Sequence, residues 1–258
     1  MSNPRVTVIT GASQGIGRHI ALAFADAGHS LVLAARDKAK LEETAARAGE
    51  SGAEALVVPT DVTDADDTEA MTAAALDRFG RIDVLINNSG IGGPSGPLWE
   101  LSVEEWRRTF AVNVEGVFLV TKAVMPHMIE RGSGSVVMIG SITGKRPLWG
   151  RTPYASTKSA LVGLTRTLAI EAGPHGVRVN LISPGFVSGP RLDWVIDAQA
   201  EGRGISTEQV RSELAAEAAL NRLTEPEDIA RVALFLASEE SRGIAGADIN
   251  VNSGVVMY

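Results

Sequence analysis

Short β-branched runs alternate with longer amphipathic stretches along this chain, the pattern of strands separated by helices. Val6-Thr7-Val8-Ile9, Leu31 to Ala35, Leu56-Val57-Val58 and Ile82 to Ile86 predict the first four strands. Ser135 to Ile139, Val177 to Ile182 and Asp248 to Val251 predict three more. Helical patterns fill the gaps: one through Ile20, Leu22, Ala23 and Phe24 to near Gly28, then Asp37 to about Glu50 and Asp64 to Phe79. Three others run from Ser102 to about Glu130, from Tyr154 to about Gly173, and onward from Thr224-Glu225-Pro226-Glu227. Helix-start chemistry supports these placements. Asp37 suits an N-cap, Ser102 and Glu105 suit a capping box, and Pro153 suits a first turn. Regular alternation of this kind predicts an α/β fold, a doubly wound parallel sheet of about seven strands with helices on both faces. No repeat, linker or low-complexity tract divides it, so residues 1–258 are expected to form a single domain. From Phe186 to about Leu223 the pattern turns irregular, with Gly189-Pro190, Gly202 and Gly204 breaking it. A mobile lid over about 186–223 is the expectation.

Candidate chemistry gathers where the strands end. After the first strand comes Thr10-Gly11-Ala12-Ser13-Gln14-Gly15-Ile16-Gly17, a glycine-rich turn opening a helix. Glycines admit a close backbone approach, and a helix N-terminus presents unpaired N–H groups to a pyrophosphate. The spacing is G-x-x-x-G-x-G and not G-x-G-x-x-G, so the strand–turn–helix context carries the dinucleotide reading. Arg36 stands at the end of the second strand, where an acid would suit a free ribose 2′-hydroxyl and an arginine a 2′-phosphate. That favours NADP over NAD; the competing reading of Arg36 is a solvated surface charge. Asp61 and Val62 follow the third strand, where Asp61 either meets an adenine amino group or closes a turn. Asn87-Asn88-Ser89-Gly90 follows the fourth: the asparagines read as braces between strands, with Ser89-Gly90 beside any cofactor. Asn113 lies within an apolar stretch and needs partners, either in the core or as a placed catalytic amide. Ser141 ends the fifth strand. Tyr154 and Lys158 share one helix face a turn apart, and the ammonium favours the phenolate, which makes the pair a candidate proton-transfer device.

Composition removes several alternatives. A net charge of −7 argues against sequence-independent nucleic-acid binding. The absence of cysteine excludes disulfides, thiolate metal sites and a cysteine nucleophile. No apolar run reaches about 18 residues, and Met1-Ser2-Asn3-Pro4-Arg5 passes straight into the first strand, so neither a membrane span nor a signal peptide is expected and a cytoplasmic location is.

Taken together, Thr10-Gly11-x3-Gly15-x-Gly17, Asp61-Val62, Asn87-Asn88-x-Gly90, Asn113, Ser141, Tyr154-x3-Lys158 and Pro184-Gly185 resemble the short-chain dehydrogenase/reductase family over essentially the whole chain. The resemblance implies a Rossmann-type fold, a nicotinamide cofactor (NADP(H) favoured, NAD(H) possible), no metal, and interconversion of a secondary alcohol with a ketone or aldehyde. It assigns Tyr154 as general acid or base, Ser141 as the partner of the substrate oxygen, Lys158 to the nicotinamide ribose and the Tyr154 pKa, and Asn113 to a water linking Lys158 to solvent. Gly11, Ser13, Gln14, Gly15, Ile16, Gly17, Arg36, Asp61, Val62, Asn88, Gly90, Pro184, Gly185 and Val187 would join Tyr154 and Lys158 around the cofactor. It also implies a homo-oligomer, a dimer or tetramer, that partly covers the Ser102 and Tyr154 helices. Three departures stand out: Ser89 for alanine, Gly189 where a threonine is common (Ser188 being a possible substitute), and Asn252-Ser253-Gly254 for aspartate-glycine-glycine.

The substrate end falls to segments that the family pattern leaves open: Gly92 to Trp99, Ile142 to Arg151, and Phe186 to about Arg203. Ile142, Trp149, Phe186, Arg191 and Trp194 are its candidate residues. Lys145, Arg146, Arg151 and Arg191 could clamp a carboxylate, sulfonate or phosphate, or serve only as solvated rim charges. Two alternatives accompany the small alcohol or carbonyl reading. One is a 3-oxoacyl-carrier-protein reductase, which needs a basic docking surface; the other is a non-catalytic nucleotide-sensing protein.

Overall fold

The computed structural model describes residues 4–258, so Met1, Ser2 and Asn3 of the expected leaderless start lie outside it. All seven strands form: β1 (Val6–Thr10), β2 (Ser30–Ala35), β3 (Ala55–Pro59), β4 (Val84–Asn87), β5 (Gly134–Ile139), β6 (Val177–Pro184) and β7 (Asp248–Val251). They pair in parallel in the order β3-β2-β1-β4-β5-β6-β7. Both faces are covered, which is why the strands read as near-continuous apolar runs. Val8, Val32, Leu85, Val136 and Met138 point to one side, under α3 (Ala65–Phe79), α5 (Gly116–Arg131) and α6 (Thr152–Ala172). Ile9, Leu31, Leu33, Ile86 and Val137 point to the other, under α1 (Gly15–Asp26), α2 (Lys38–Gly49) and α9 (Pro226–Ala237). Sequence order reverses between β1 and β4. A crevice therefore opens beyond their carboxyl ends, where folds of this type bind ligands.

The expected caps are in place. Asp37 accepts from Lys40 N, Asp64 from Asp66 N and Asp67 N, and Ser102 and Glu105 form a reciprocal capping box at the start of α4 (Val103–Phe110). The helix from Ser102 does run to Arg131, but a π-turn over Ala111–Glu115 separates α4 from α5. By composition this 29-residue stretch, with an 18-residue window of mean hydropathy 1.2, is apolar enough to cross a membrane. Its Val117, Val120, Val124 and Met128 lie instead in the core against the sheet.

The 186–223 segment departs most from expectation. It is not irregular: α7 (Pro190–Arg203) and α8 (Thr207–Ala216) form a helical pair around Leu192, Ile196, Ala200, Val210, Leu214 and Leu223. Gly202 lies inside α7, and Gly204, at φ 65°, is its left-handed C-cap.

Candidate active site

The glycine turn between β1 and α1 is built for close approach. Gly11 and Gly15 have φ of 66° and 54°, and a Cβ on Gly17 would stand 2.2 Å from Gly11 O. Gln14, at the N-cap of α1, supplies no side-chain cap, so the first N–H groups of the helix stay free for an anion. This cradle fits the pyrophosphate of a dinucleotide. Asn88 braces it as expected, donating from Nδ2 to Thr10 O (3.0 Å) and Gly11 O (3.1 Å). Thr10 Oγ1 accepts from both Asn88 N and Ser89 N. Arg18, a residue the motif reading passed over, ties the far side of the turn by donating to Ser13 O at 2.6 Å. Ile16 packs beneath the turn.

Around the adenosine end, Arg36 is exposed at the tip of β2 with no ion-pair partner among the described residues. Asp61 takes the turn-closing role: one carboxylate oxygen accepts from Thr63 N and Thr63 Oγ1, and these bonds hold its pKa below the usual carboxylate value. Val62 is buried beside it and packs on Gly116, where a Cβ would meet it at 2.8 Å.

The candidate proton-transfer groups converge beyond β4, β5 and β6. Lys158 is buried, and its ammonium donates to Ile139 O at 2.8 Å, which fixes it at the end of β5. Ser141 follows two residues later, where its Oγ accepts from Thr143 N to start a 3₁₀ turn. That turn is pinned to α6: Ser159 Oγ donates to Gly144 O, and a Cβ on Gly144 would meet the Lys158 carbonyl carbon at 2.9 Å. Tyr154 lies between the two groups. Burial alone would raise its pKa, but Lys158, Arg191, the Ser141 hydroxyl and Arg151 together hold it below the ordinary phenol value. Burial likewise lowers Lys158, and the Tyr154 phenolate works against that shift.

Asn113 occupies the π-turn and is fully buried. Its Oδ1 accepts from Ile91 N, and its Nδ2 donates to Ile91 O and to Thr157 Oγ1. The side chain thus anchors the loop after β4, within reach of Gly90 and Lys158, where a Cβ on Gly90 would meet Asn113 Oδ1 at 3.3 Å and Lys158 Nζ at 3.6 Å. Thr157, unremarked in the motif, completes this clamp.

On the remaining cofactor wall, Pro184 is buried and Gly185 packs on Asn252, with 2.7 Å left for a Cβ. Val187 bridges to Thr224. Ser188 donates its hydroxyl to Glu225 Oε1 at 2.9 Å, so the group considered for the contact missing at Gly189 is already engaged. Of the substrate candidates, Ile142 is buried below the turn, Phe186 packs on the α7–α8 core, and Trp149 and Trp194 are exposed. The four basic residues divide. Lys145 is bound to Asp248 and Asn250, and Arg146 to Glu217. Among the described residues Arg151 and Arg191 are bound to no acid, and each guanidinium stands over the Tyr154 ring, at 5.3 Å and 5.4 Å from its centroid. Two concavities of about 660 and 470 Å³ lie elsewhere, on the outer faces of α4, α5 and α6.

A parallel sheet with a dinucleotide cradle at its switch point, and a tyrosine tuned by lysine beyond it, defines a nucleotide-dependent oxidoreductase. A family model described as enoyl-(acyl carrier protein) reductase matches residues 11–256. "Short chain dehydrogenase/reductase astE" of Aspergillus oryzae is 36% identical over 97% of this chain and 94% of its own. The solved structure of an actinorhodin polyketide ketoreductase with NADPH superposes with a TM-score of 0.94 at 33% identity, covering 99% of this chain and 98% of its own. A 3-ketoacyl-(acyl-carrier-protein) reductase from Brucella melitensis with NADH gives 0.88 at 32%, covering 99% and 100%. The chain belongs to the short-chain dehydrogenase/reductase family. It is an NAD(P)-dependent oxidoreductase of alcohol and carbonyl groups.

Proposed function

We infer that the enzyme interconverts a small secondary alcohol and its ketone, or a primary alcohol and its aldehyde, with NADP(H) in preference to NAD(H), in the cytoplasm and as a homo-oligomer. The observation that carries the reaction is the placement of Tyr154 between buried Lys158 and Ser141 at the ends of α6 and β5. A nicotinamide bound at the switch point supplies or accepts the hydride. In the reductive direction the Tyr154 hydroxyl gives its proton to the carbonyl oxygen while Ser141 hydrogen-bonds that same oxygen. In oxidation the phenolate takes the alcohol proton. Lys158, held by Ile139 O, keeps the phenolate accessible. Tyr154→Phe should lower turnover by roughly 10²–10⁴-fold, the usual contribution of a placed acid–base group, while cofactor still binds; substantial residual turnover would refute the assignment.

The cofactor preference rests on exposed Arg36 at the tip of β2, which forms no ion pair among the described residues. Initial rates with NADPH and NADH over a varied carbonyl set test it. The expected result is a tenfold or larger advantage in kcat/KM for NADPH, about 1.4 kcal/mol, which Arg36→Glu reverses. Equal use of the two cofactors would refute it. The homo-oligomer draws support from exposed Phe118 and Ile170 near the concavities on α5 and α6, and light scattering of the purified protein tests it. The likeness to the Brucella reductase keeps a carrier-protein substrate as the second reading; a carrier-linked thioester outperforming free ketones would favour it.

A further inference from the structure

Two guanidinium groups stand together over the Tyr154 ring, with no ion-pair partner among the described residues. Arg151 precedes α6, and Arg191 lies in the first turn of α7. Their Nη2 atoms close on the same spot beside Gly92, where a Cβ would meet Arg191 at 2.7 Å and Arg151 at 3.0 Å. Asp193, two residues after Arg191, binds Arg211 at 2.6 Å; Glu217 binds Arg146; Asp248 binds Lys145. Lys158 is the third cation around the Tyr154 ring, at 5.6 Å from its centroid. Arg151 is half-buried and Arg191 exposed, and like charges held this close repel, a repulsion that an anion between them relieves. Arg151 is indeed held below its ordinary value by burial and by Arg191.

We propose that Arg151 and Arg191 form a carboxylate clamp, and that the substrate is a small hydroxy or oxo acid whose carboxylate binds there while its reacting carbon meets Tyr154. This rests on the oxidoreductase reading above. Carboxylate suits the site better than phosphate or sulfonate. The Nη2 of Arg151 is committed to Gly92 O at 2.6 Å, which leaves fewer free donors for a tetrahedral anion, whereas a planar carboxylate matches the paired N–H groups of a guanidinium. Both guanidinium carbons lie 5.3–5.4 Å from the Tyr154 ring centroid, so a carboxylate held there belongs to a small molecule whose carbinol meets the same tyrosine. The cofactor does not compete for the clamp, because its phosphates belong at the glycine turn at the end of β1.

The test has a kinetic and a binding arm. In the first, kcat/KM is measured for 2-hydroxybutanoate, 3-hydroxybutanoate and 4-hydroxypentanoate against their methyl esters. Native enzyme and Arg151→Gln/Arg191→Gln are compared. Because acid and ester share the Tyr154 chemistry, their ratio cancels any change in the tyrosine itself. The expected result is a preference of roughly tenfold or more for at least one acid, the scale of a charge-assisted hydrogen bond, falling towards unity in the double variant with the cofactor KM unchanged. Arg191→Lys should recover part of it. In the second arm the cofactor-bound protein is titrated calorimetrically with butanoate and butanamide in low-chloride buffer, with butanoate expected to bind at least about tenfold tighter in the native protein only. Esters turned over as well as acids, or butanoate bound no better than its amide, would overturn the clamp. Tight butanoate binding without turnover of any of these alcohols would uphold the anion site and overturn its assignment to the substrate. Loss of cofactor affinity in the double variant would assign the arginines to the cofactor instead.

Discussion

At the residue scale the pair Tyr154–Lys158 is legible in sequence because its spacing is local: four residues on a helix put two side chains on one face. What tunes the pair is not local. Ile139 O, Ser141, Arg151 and Arg191 arrive from β5, from the turn after it, and from segments before α6 and at the start of α7. Sequence placed Lys145, Arg146, Arg151 and Arg191 in one undivided group, since only the fold decides which acids reach which cations. The tuning has a measurable consequence. With the Tyr154 pKa depressed, the phenolate needed for alcohol oxidation is present at lower pH than a free phenol, near pH 10, would allow. The acidic limb of the oxidative pH–kcat profile should therefore lie below that value. Lys158→Met removes the largest of the lowering influences and should move the limb upward, in addition to weakening cofactor binding. An unchanged limb in a variant saturated with cofactor would show that Lys158 does not tune the tyrosine.

At the element scale, capped helices and strand runs were readable, while the π-turn and the α7–α8 pair were not. The spacing Leu192, Ile196, Ala200 does follow one helix face, but Gly189, Gly202 and Gly204 were given the weight of breakers. Gly202 is tolerated inside α7 because leucine and isoleucine on the buried face hold the helix down, at a propensity cost of only about 1 kcal/mol. The π-turn is invisible for another reason: it exists to carry Asn113 inward to the backbone of Ile91, a contact made 22 residues away. π-Turns of this kind tend to sit at functional sites. Removing that amide orphans Ile91 N–H and C=O and breaks the link to Thr157. Asn113→Ala should thus lower stability by about 2–3 kcal/mol, seen as a fall in Tm of roughly 5–10 °C for a chain of this size. Turnover should fall with it as the loop after β4 loosens. Thr157→Val, which removes one of the three bonds, should cost distinctly less. Equal losses in the two variants would mean that the Ile91 clamp contributes little.

At the scale of the whole molecule, the catalytic groups gather at the carboxyl ends of the strands, and the opposite edge of the sheet carries its own ionisable pair. His29, 8% exposed, lies at the entry to β2, its Nδ1 2.7 Å from Thr7 Oγ1 and its ring edge-on to Phe24. Asp83, just before β4, accepts from Val6 N and from Arg81 and Arg131. Burial, then Arg5, lowers the His29 pKa to about 4, with Asp83 only partly opposing them. A histidine whose folded value lies below its unfolded 6.5 is protonated more readily in the unfolded chain, so its share of stability is complete above pH 6.5 and lost as the pH falls towards 4. Asp83 acts lower. Burial raises it, but its guanidinium and backbone partners outweigh burial and hold it below the ordinary carboxylate value. Its share is lost only beneath about pH 4, the unfolded value. The two windows separate cleanly. Between pH 7 and 4.5 the urea midpoint should decline by an amount equivalent to about 2 kcal/mol from His29 alone. His29→Gln retains a polar partner for Thr7 but cannot titrate there, so its stability should vary much less across that interval. Parallel declines in the native protein and the variant would show that the acid sensitivity arises elsewhere in the fold.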